Sequence, residues 1–128
     1  MEMLAIEGTK STPEIHFDPV TGVLSMSGES YPENSFEFYR PILSWLARFS
    51  AVHHGPLTFK TNLSYLNTGS TKCMMDILDL LEESHLNGNT VAVNWYYDEE
   101  NHRAFETAEE FKEEVSVPFN IIPVSEQP

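Results

Sequence analysis

Leu57-Thr58-Phe59-Lys60-Thr61-Asn62-Leu63-Ser64-Tyr65-Leu66-Asn67-Thr68-Gly69-Ser70-Thr71-Lys72 carries the chain from an apolar run into a helical pattern that continues from Cys73 to Leu86. Leu57, Phe59, Asn62, Leu63, Tyr65 and Leu66 make a strand long enough to be central in a sheet. In the helix, Met74, Ile77, Leu78, Leu81 and His85 share one stripe, while Asp76, Asp79, Glu82 and Glu83 take solvent positions. Asn87-Gly88-Asn89 stops it through a left-handed cap. Between strand and helix, residues 67–72 read as a loop. A strand-to-helix turn of this kind exposes unpaired backbone N–H groups beside the positive end of the helix dipole, so an anion or a covalent phosphate is stabilised there.

Three hydroxyls, on Thr68, Ser70 and Thr71, crowd that turn. Asn, Thr and Ser cap any helix start, and plain capping is the competing reading. One cap cannot use every polar side chain present. Lys72, placed by the pattern in the first helical turn, opposes the dipole by roughly 0.3–1 kcal/mol, a cost that a neighbouring phosphate reverses. Gly69 leaves room for another protein to approach.

Upstream, Leu4 to Glu7 is a short apolar segment, read as a brief first strand, and the polar, turn-rich Gly8 to Pro13 as a mobile loop. Glu14-Ile15-His16-Phe17 and Val23-Leu24-Ser25-Met26-Ser27 flank Asp18-Pro19-Val20-Thr21-Gly22, an antiparallel hairpin with Pro presetting the turn and Gly allowing positive φ. A helix opens at Pro32-Glu33-Asn34 and runs to about Val52. Tyr39, Ile42, Leu43, Leu46 and Ser50 share one face; Phe38, Trp45, Phe49 and Val52 form a second stripe, wedged between layers or offered to another chain. Pro41 should bend or restart this helix. Downstream, Thr90 to Tyr97 is a β-branched and aromatic strand. Glu99 to Glu114 is a helix anchored by Phe105, Ala108, Phe111 and Val115, and Val117 to Val124 is a proline-bearing edge strand. The expectation is an α/β single-domain sandwich over residues 1–128, with an N-terminal hairpin leading into a mixed sheet of about five strands and about three helices.

The 128 residues include 20 acidic and 7 basic side chains, a formal charge of -13. Such a surface repels nucleic-acid backbones and anionic membranes. With no long apolar stretch, no secretory leader pattern at Met1-Glu2-Met3-Leu4 and one cysteine, a cytoplasmic protein is expected. Cys73 reads as a small buried hydrophobe. His16, His53, His54, His85 and His102 are scattered without metal-ligand spacing, and the carboxylates show no catalytic pairing. Neither a catalytic residue nor a metal nor a cofactor is assigned. Gly69-Ser70-Thr71-Lys72 fails the nucleotide-loop signature, because the order is wrong and the first glycine is missing.

Tyr31-Pro32-Glu33-Asn34, continued by Phe38-Tyr39-Arg40-Pro41 and Trp45-Leu46, together with Tyr65 to Cys73, resembles the SiaC family of regulatory phosphoproteins. The likeness extends over nearly the whole chain, including the opening hairpin and Val117-Pro118-Phe119. It implies a fold similar to anti-sigma-factor antagonists (STAS-like) and a non-enzymatic partner-switching module with Thr68 as phosphoacceptor. It further implies a dedicated kinase, a metal-dependent PP2C-like phosphatase, and an unphosphorylated form that binds and activates a GGDEF-type diguanylate cyclase, raising cyclic di-GMP and favouring biofilm. Asn67 stands where the antagonist fold usually has an acid, so that wider match is by position. Asn67, Gly69, Ser70, Thr71 and Lys72 are the expected partner-binding residues, with Met75 or Leu80 as apolar anchors. The rival readings are an unregulated scaffolding subunit, an anti-sigma-factor antagonist acting in transcription, and an enzyme using Thr68 or Ser70 as nucleophile.

Overall fold

Phe17, Leu24, Phe59, Val93 and Phe119 stand side by side across five successive strands, and all five are buried. One residue out of register, His16, Ser25, Lys60, Asn94 and Asn120 form the neighbouring row, and it is polar. Because successive strand residues point to opposite faces, these two rows define a sheet covered on one side and wet on the other. The computed structural model describes residues 1–125. The strands are β1 (Leu4–Ile6), β2 (Glu14–Asp18), β3 (Val23–Ser30), β4 (Leu57–Leu66), β5 (Val91–Asp98) and β6 (Phe119–Val124). Between the later strands lie α1 (Ser35–Val52), α2 (Thr68–Leu86) and α3 (His102–Glu113). Strand order follows chain order; β1 to β3 pair antiparallel and β3 to β6 parallel. All three helices share one apolar cluster with the covered face. The sheet has six strands where about five were expected, and the brief first strand at Leu4–Ile6 pairs along its whole length with β2.

The hairpin turn is as read: the Asp18 carboxylate accepts from the Val20 N–H at 2.9 Å, and Gly22 takes φ +74. A side chain at Gly22 would also collide with the Pro56 carbonyl. β4 is central, and Pro123 lies on edge strand β6, where its missing donor costs no ladder bond on the open side. At the end of α2, Gly88 (φ +95) donates to His85 O at 3.0 Å and Asn89 to Ser84 O at 3.2 Å, the paired bonds of a Schellman cap.

α1 starts at Ser35, not Pro32, because Asn34 caps it by accepting from the Glu37 N–H at 3.1 Å. It runs unbroken past Pro41, so no restart occurs. Of its second stripe, Trp45 and Phe49 are buried within the chain, whereas Val52 at the end of the helix is exposed. Trp45 packs on Phe17 with centroids 5.4 Å apart, stacks on Phe49 at 4.9 Å, and donates its indole N–H to Glu2 O at 2.8 Å. The hairpin supplies the layer that covers it. In α3 the buried anchors are Ala104, Ala108 and Phe111, whereas Phe105 is exposed against Tyr97.

Candidate functional site

Parallel strands with helical crossovers bring the starts of α2 and α3 to the edge of the sheet where β4 and β5 end. A cleft of about 510 Å³ lies there, lined among others by Tyr65, Thr68, Thr71, Arg103, Glu106 and Glu110. Two asparagines fix its walls. Asn67 caps α2: its side-chain oxygen accepts from the Ser70 N–H at 2.8 Å, and its amide donates to Pro32 O at 3.3 Å. Asn101 caps α3: its oxygen accepts from the Ala104 N–H at 3.0 Å, and its amide donates to Ser64 O at 3.2 Å. Each wall is thus tied to a neighbouring element by the residue that starts its helix.

Ser64 is also where β3 and β4 slip register: Gly28 faces Leu63 and Glu29 faces Tyr65, leaving Ser64 unopposed. The bulge inverts the alternation of β4, so Tyr65, which parity would send inward, is 43% exposed at the cleft and meets Tyr31 edge-on at 6.1 Å. The sequence carries a trace of this, since the odd-numbered apolar positions 57, 59 and 63 give way to Leu66.

The three hydroxyls of the turn part ways, because α2 begins at Thr68 rather than Cys73 and the supposed loop is its first turn. Ser70 is fully buried; its Oγ lies 2.7 Å from Ser30 Oγ, which lies 2.7 Å from the Tyr39 hydroxyl. Burial pushes the Tyr39 phenol up to about 12, so it keeps its proton within this chain of hydroxyls. The expectation that Ser70 touches a partner is therefore corrected: its side chain joins β3, α1 and α2 from inside. Thr71 is half-buried and donates to Asn67 O at 3.0 Å. Thr68 alone of the three is exposed, and its hydroxyl has no hydrogen-bond partner among the described residues.

Gly69 has an internal reason to lack a side chain. A Cβ there would stand 2.7 Å from Ser35 Oγ and 2.9 Å from Ser35 Cβ, so the glycine admits α1 against α2. Lys72 is the fifth residue of α2 and lies beyond its first turn, which weakens its conflict with the dipole; its ammonium sits 5.7 Å from the centre of the Phe36 ring. Met75 and Leu80 are half-buried against the core, and so are poorer anchors than expected. The exposed apolar groups near Thr68 are aromatic: Phe36 (55%) beside Lys72, Tyr65, Tyr31 (36%), and Phe105 (38%) next to cleft-lining Ala104. Phe105 is thus exposed where a buried anchor is expected, and Phe36 lies off both stripes of α1.

Cys73 is buried in α2, and burial, with the Asp76 carboxylate adding to it, holds its thiol above the usual range. Among the described residues no group of three or more His, Cys, Asp or Glu is placed to hold a metal ion. Among the described residues no helix is long and apolar enough to cross a membrane.

Residues 6–124 match the SiaC family regulatory phosphoproteins. A protein of Pseudomonas aeruginosa strain UCBPP-PA14, itself uncharacterised, is 52% identical over 121 residues, 94% of this chain and 96% of that protein. The crystal structure of apo-SiaC from Pseudomonas aeruginosa superposes with a TM-score of 0.91 at 51% identity, covering 95% of this chain and 99% of that one. A chain in the crystal structure of the diguanylate cyclase SiaD in complex with its activator SiaC, from the same organism, gives 0.91 and 51%, over 94% and 99% of the two chains.

Proposed function

This chain belongs to the SiaC family of regulatory phosphoproteins, and from that premise we propose that it is a non-enzymatic, cytoplasmic partner switch that activates a GGDEF-type diguanylate cyclase while Thr68 carries no phosphate. The relative crystallised as an activator with its diguanylate cyclase supports the choice of partner. A dedicated kinase phosphorylates Thr68, and a PP2C-like phosphatase restores the binding-competent form. One observation carries the choice of acceptor: Thr68 exposes an uncommitted hydroxyl at the head of α2, whereas Ser70 and Thr71 are engaged.

The cyclase docks on the first turns of α2, with Asn67, Thr71, Lys72 and the flanking aromatic rings Phe36 and Tyr65 in the contact, and Met75 contributing its exposed part. Aromatic side chains supply large contact area at small entropic cost. Phosphorylation places about -1.5 to -2 charge in the middle of that surface. Docking must then desolvate a phosphate, a penalty of several kcal/mol, which corresponds to orders of magnitude in affinity.

Cyclic di-GMP production by the cyclase, measured with Thr68→Ala and Thr68→Asp chains, tests this. Thr68→Ala should activate fully and resist the kinase. Thr68→Asp should activate only partly, since one carboxylate carries less charge than a phosphate. Equal activation by the two would remove the switch.

A further inference from the structure

Arg103 is the second residue of α3, where a cation opposes the helix dipole. From Asp98 to Glu114 the chain has eight acids and only Arg103 and Lys112 as bases, so this placement runs against both the local dipole and the local composition. Arg103 is exposed and makes no hydrogen bond or ion pair among the described residues. It lines the same cleft as Thr68, from α3 where Thr68 lines it from α2. An arginine without an ion pair among the described residues and an exposed threonine thus line one cavity.

We propose that Arg103 is the cis counter-ion of a phosphate carried on Thr68, gripping it across the cleft so that the modified side chain bridges α2 and α3. This rests on the reading of Thr68 as phosphoacceptor and adds where its phosphate goes. A guanidinium meets a phosphate through two parallel charge-assisted hydrogen bonds, which an ammonium cannot reproduce. Lys72 is the rival cation, one helical turn from Thr68 on α2, but its ammonium rests over the Phe36 ring.

Glu106 and Glu110 also line the cleft and repel a phosphate. With Arg103 they give the lining one positive and two negative side chains, so a free anion gains nothing by entering. A tethered phosphate differs, because its attachment supplies an effective concentration in the millimolar range. Both glutamates are exposed, and any pairing of Glu106 with Arg103 is worth at most about 1 kcal/mol, so the carboxylates can turn to water as the phosphate arrives. The phosphorylated chain then has a filled cleft and a neutralised Arg103, and the modification acts by occupying the surface as well as by charging it.

The test uses the full chain with phosphothreonine installed at position 68 during synthesis, so that no kinase is needed. The second ionisation of the phosphate is followed by phosphorus NMR in the otherwise native chain and in Arg103→Gln, Arg103→Lys and Lys72→Gln. A nearby cation favours the dianion, so Arg103→Gln should raise this pKa by about half to one unit, less than the shift at a buried pair because the site is open. Arg103→Lys should fall between, and Lys72→Gln should stay near the native value. An unchanged titration in Arg103→Gln, or a rise in Lys72→Gln as large as in Arg103→Gln, overturns the proposal. Cyclase activation measured on the same samples separates the two ideas. Altered titration with activation indifferent to phosphate sinks the switch alone, and lost activation with identical titrations sinks the Arg103 grip alone.

Discussion

Ser70 Oγ lies 2.7 Å from Ser30 Oγ inside the core, whereas Thr68, two residues earlier on the same helix, holds its hydroxyl in solvent. The two positions should therefore respond in opposite ways to loss of the hydroxyl. Ser70→Ala should cost about 1 kcal/mol through the lost buried hydrogen bond, yet still accept one phosphate. Thr68→Ala should change stability by no more than about 0.5 kcal/mol and accept none. Urea unfolding and intact-mass analysis after kinase treatment read both.

Asn67 caps α2 and ties it to Pro32 O, so Asn67→Ala should destabilise the chain by about 1–2 kcal/mol in urea unfolding, at the upper end for a helix cap. Hydrogen exchange should rise first at Ser70 and Thr71. Protection there equal to that of the native chain would mean that the cap bond contributes little.

Gly69 and Ser35 form a tight contact between α1 and α2, and overfilling it should show as strain. Gly69→Ala should cost about 1–3 kcal/mol. Ser35→Gly in the same chain should recover part of the loss by removing both clashing atoms. A double-mutant cycle measures the coupling, and additive losses would place the glycine's role elsewhere.

Glu82 accepts from the Ser116 hydroxyl at 2.6 Å and from the N–H groups of Ser116 and Val117, fastening the entry of β6 to α2. The Ser116 hydroxyl above all, and then the two N–H groups, hold its carboxyl below the usual carboxylate range. A folded-state pKa below the unfolded one means that this stabilisation is complete above the unfolded value of about 4.3 and is lost as pH falls through the folded value. Glu82→Gln should therefore be less stable than the native chain at pH 7, with the gap closing under acid. A gap independent of pH would assign the effect to packing.

Much of the fold was legible because local chemistry and tertiary need agree. Asp18 and Gly22 mark a turn, Gly88 marks a left-handed cap, and Pro123 marks an edge, each for reasons confined to a few residues. The site was less legible where long-range partners decide. Ser70 and Thr71 look like loop residues until Ser30 and Tyr39 supply the buried hydroxyls that receive Ser70. Asn67 is the only residue of that turn whose side chain takes the cap, and composition alone does not choose it from its neighbours. Trp45 and Phe49 read as a spare stripe because nothing near them in the chain announces Phe17 as their cover. Tyr65 turns outward through a bulge set by the pairing of β3 with β4, and Arg103 reaches the cleft only because a crossover places α3 beside α2.

The affinity of a GGDEF-type diguanylate cyclase for the full chain, titrated in parallel with and without phosphate on Thr68, bears most directly on the switch. The unmodified chain should bind and the phosphorylated chain should bind at least about 100-fold more weakly, the equivalent of roughly 2.7 kcal/mol. Affinities within twofold of each other would contradict it.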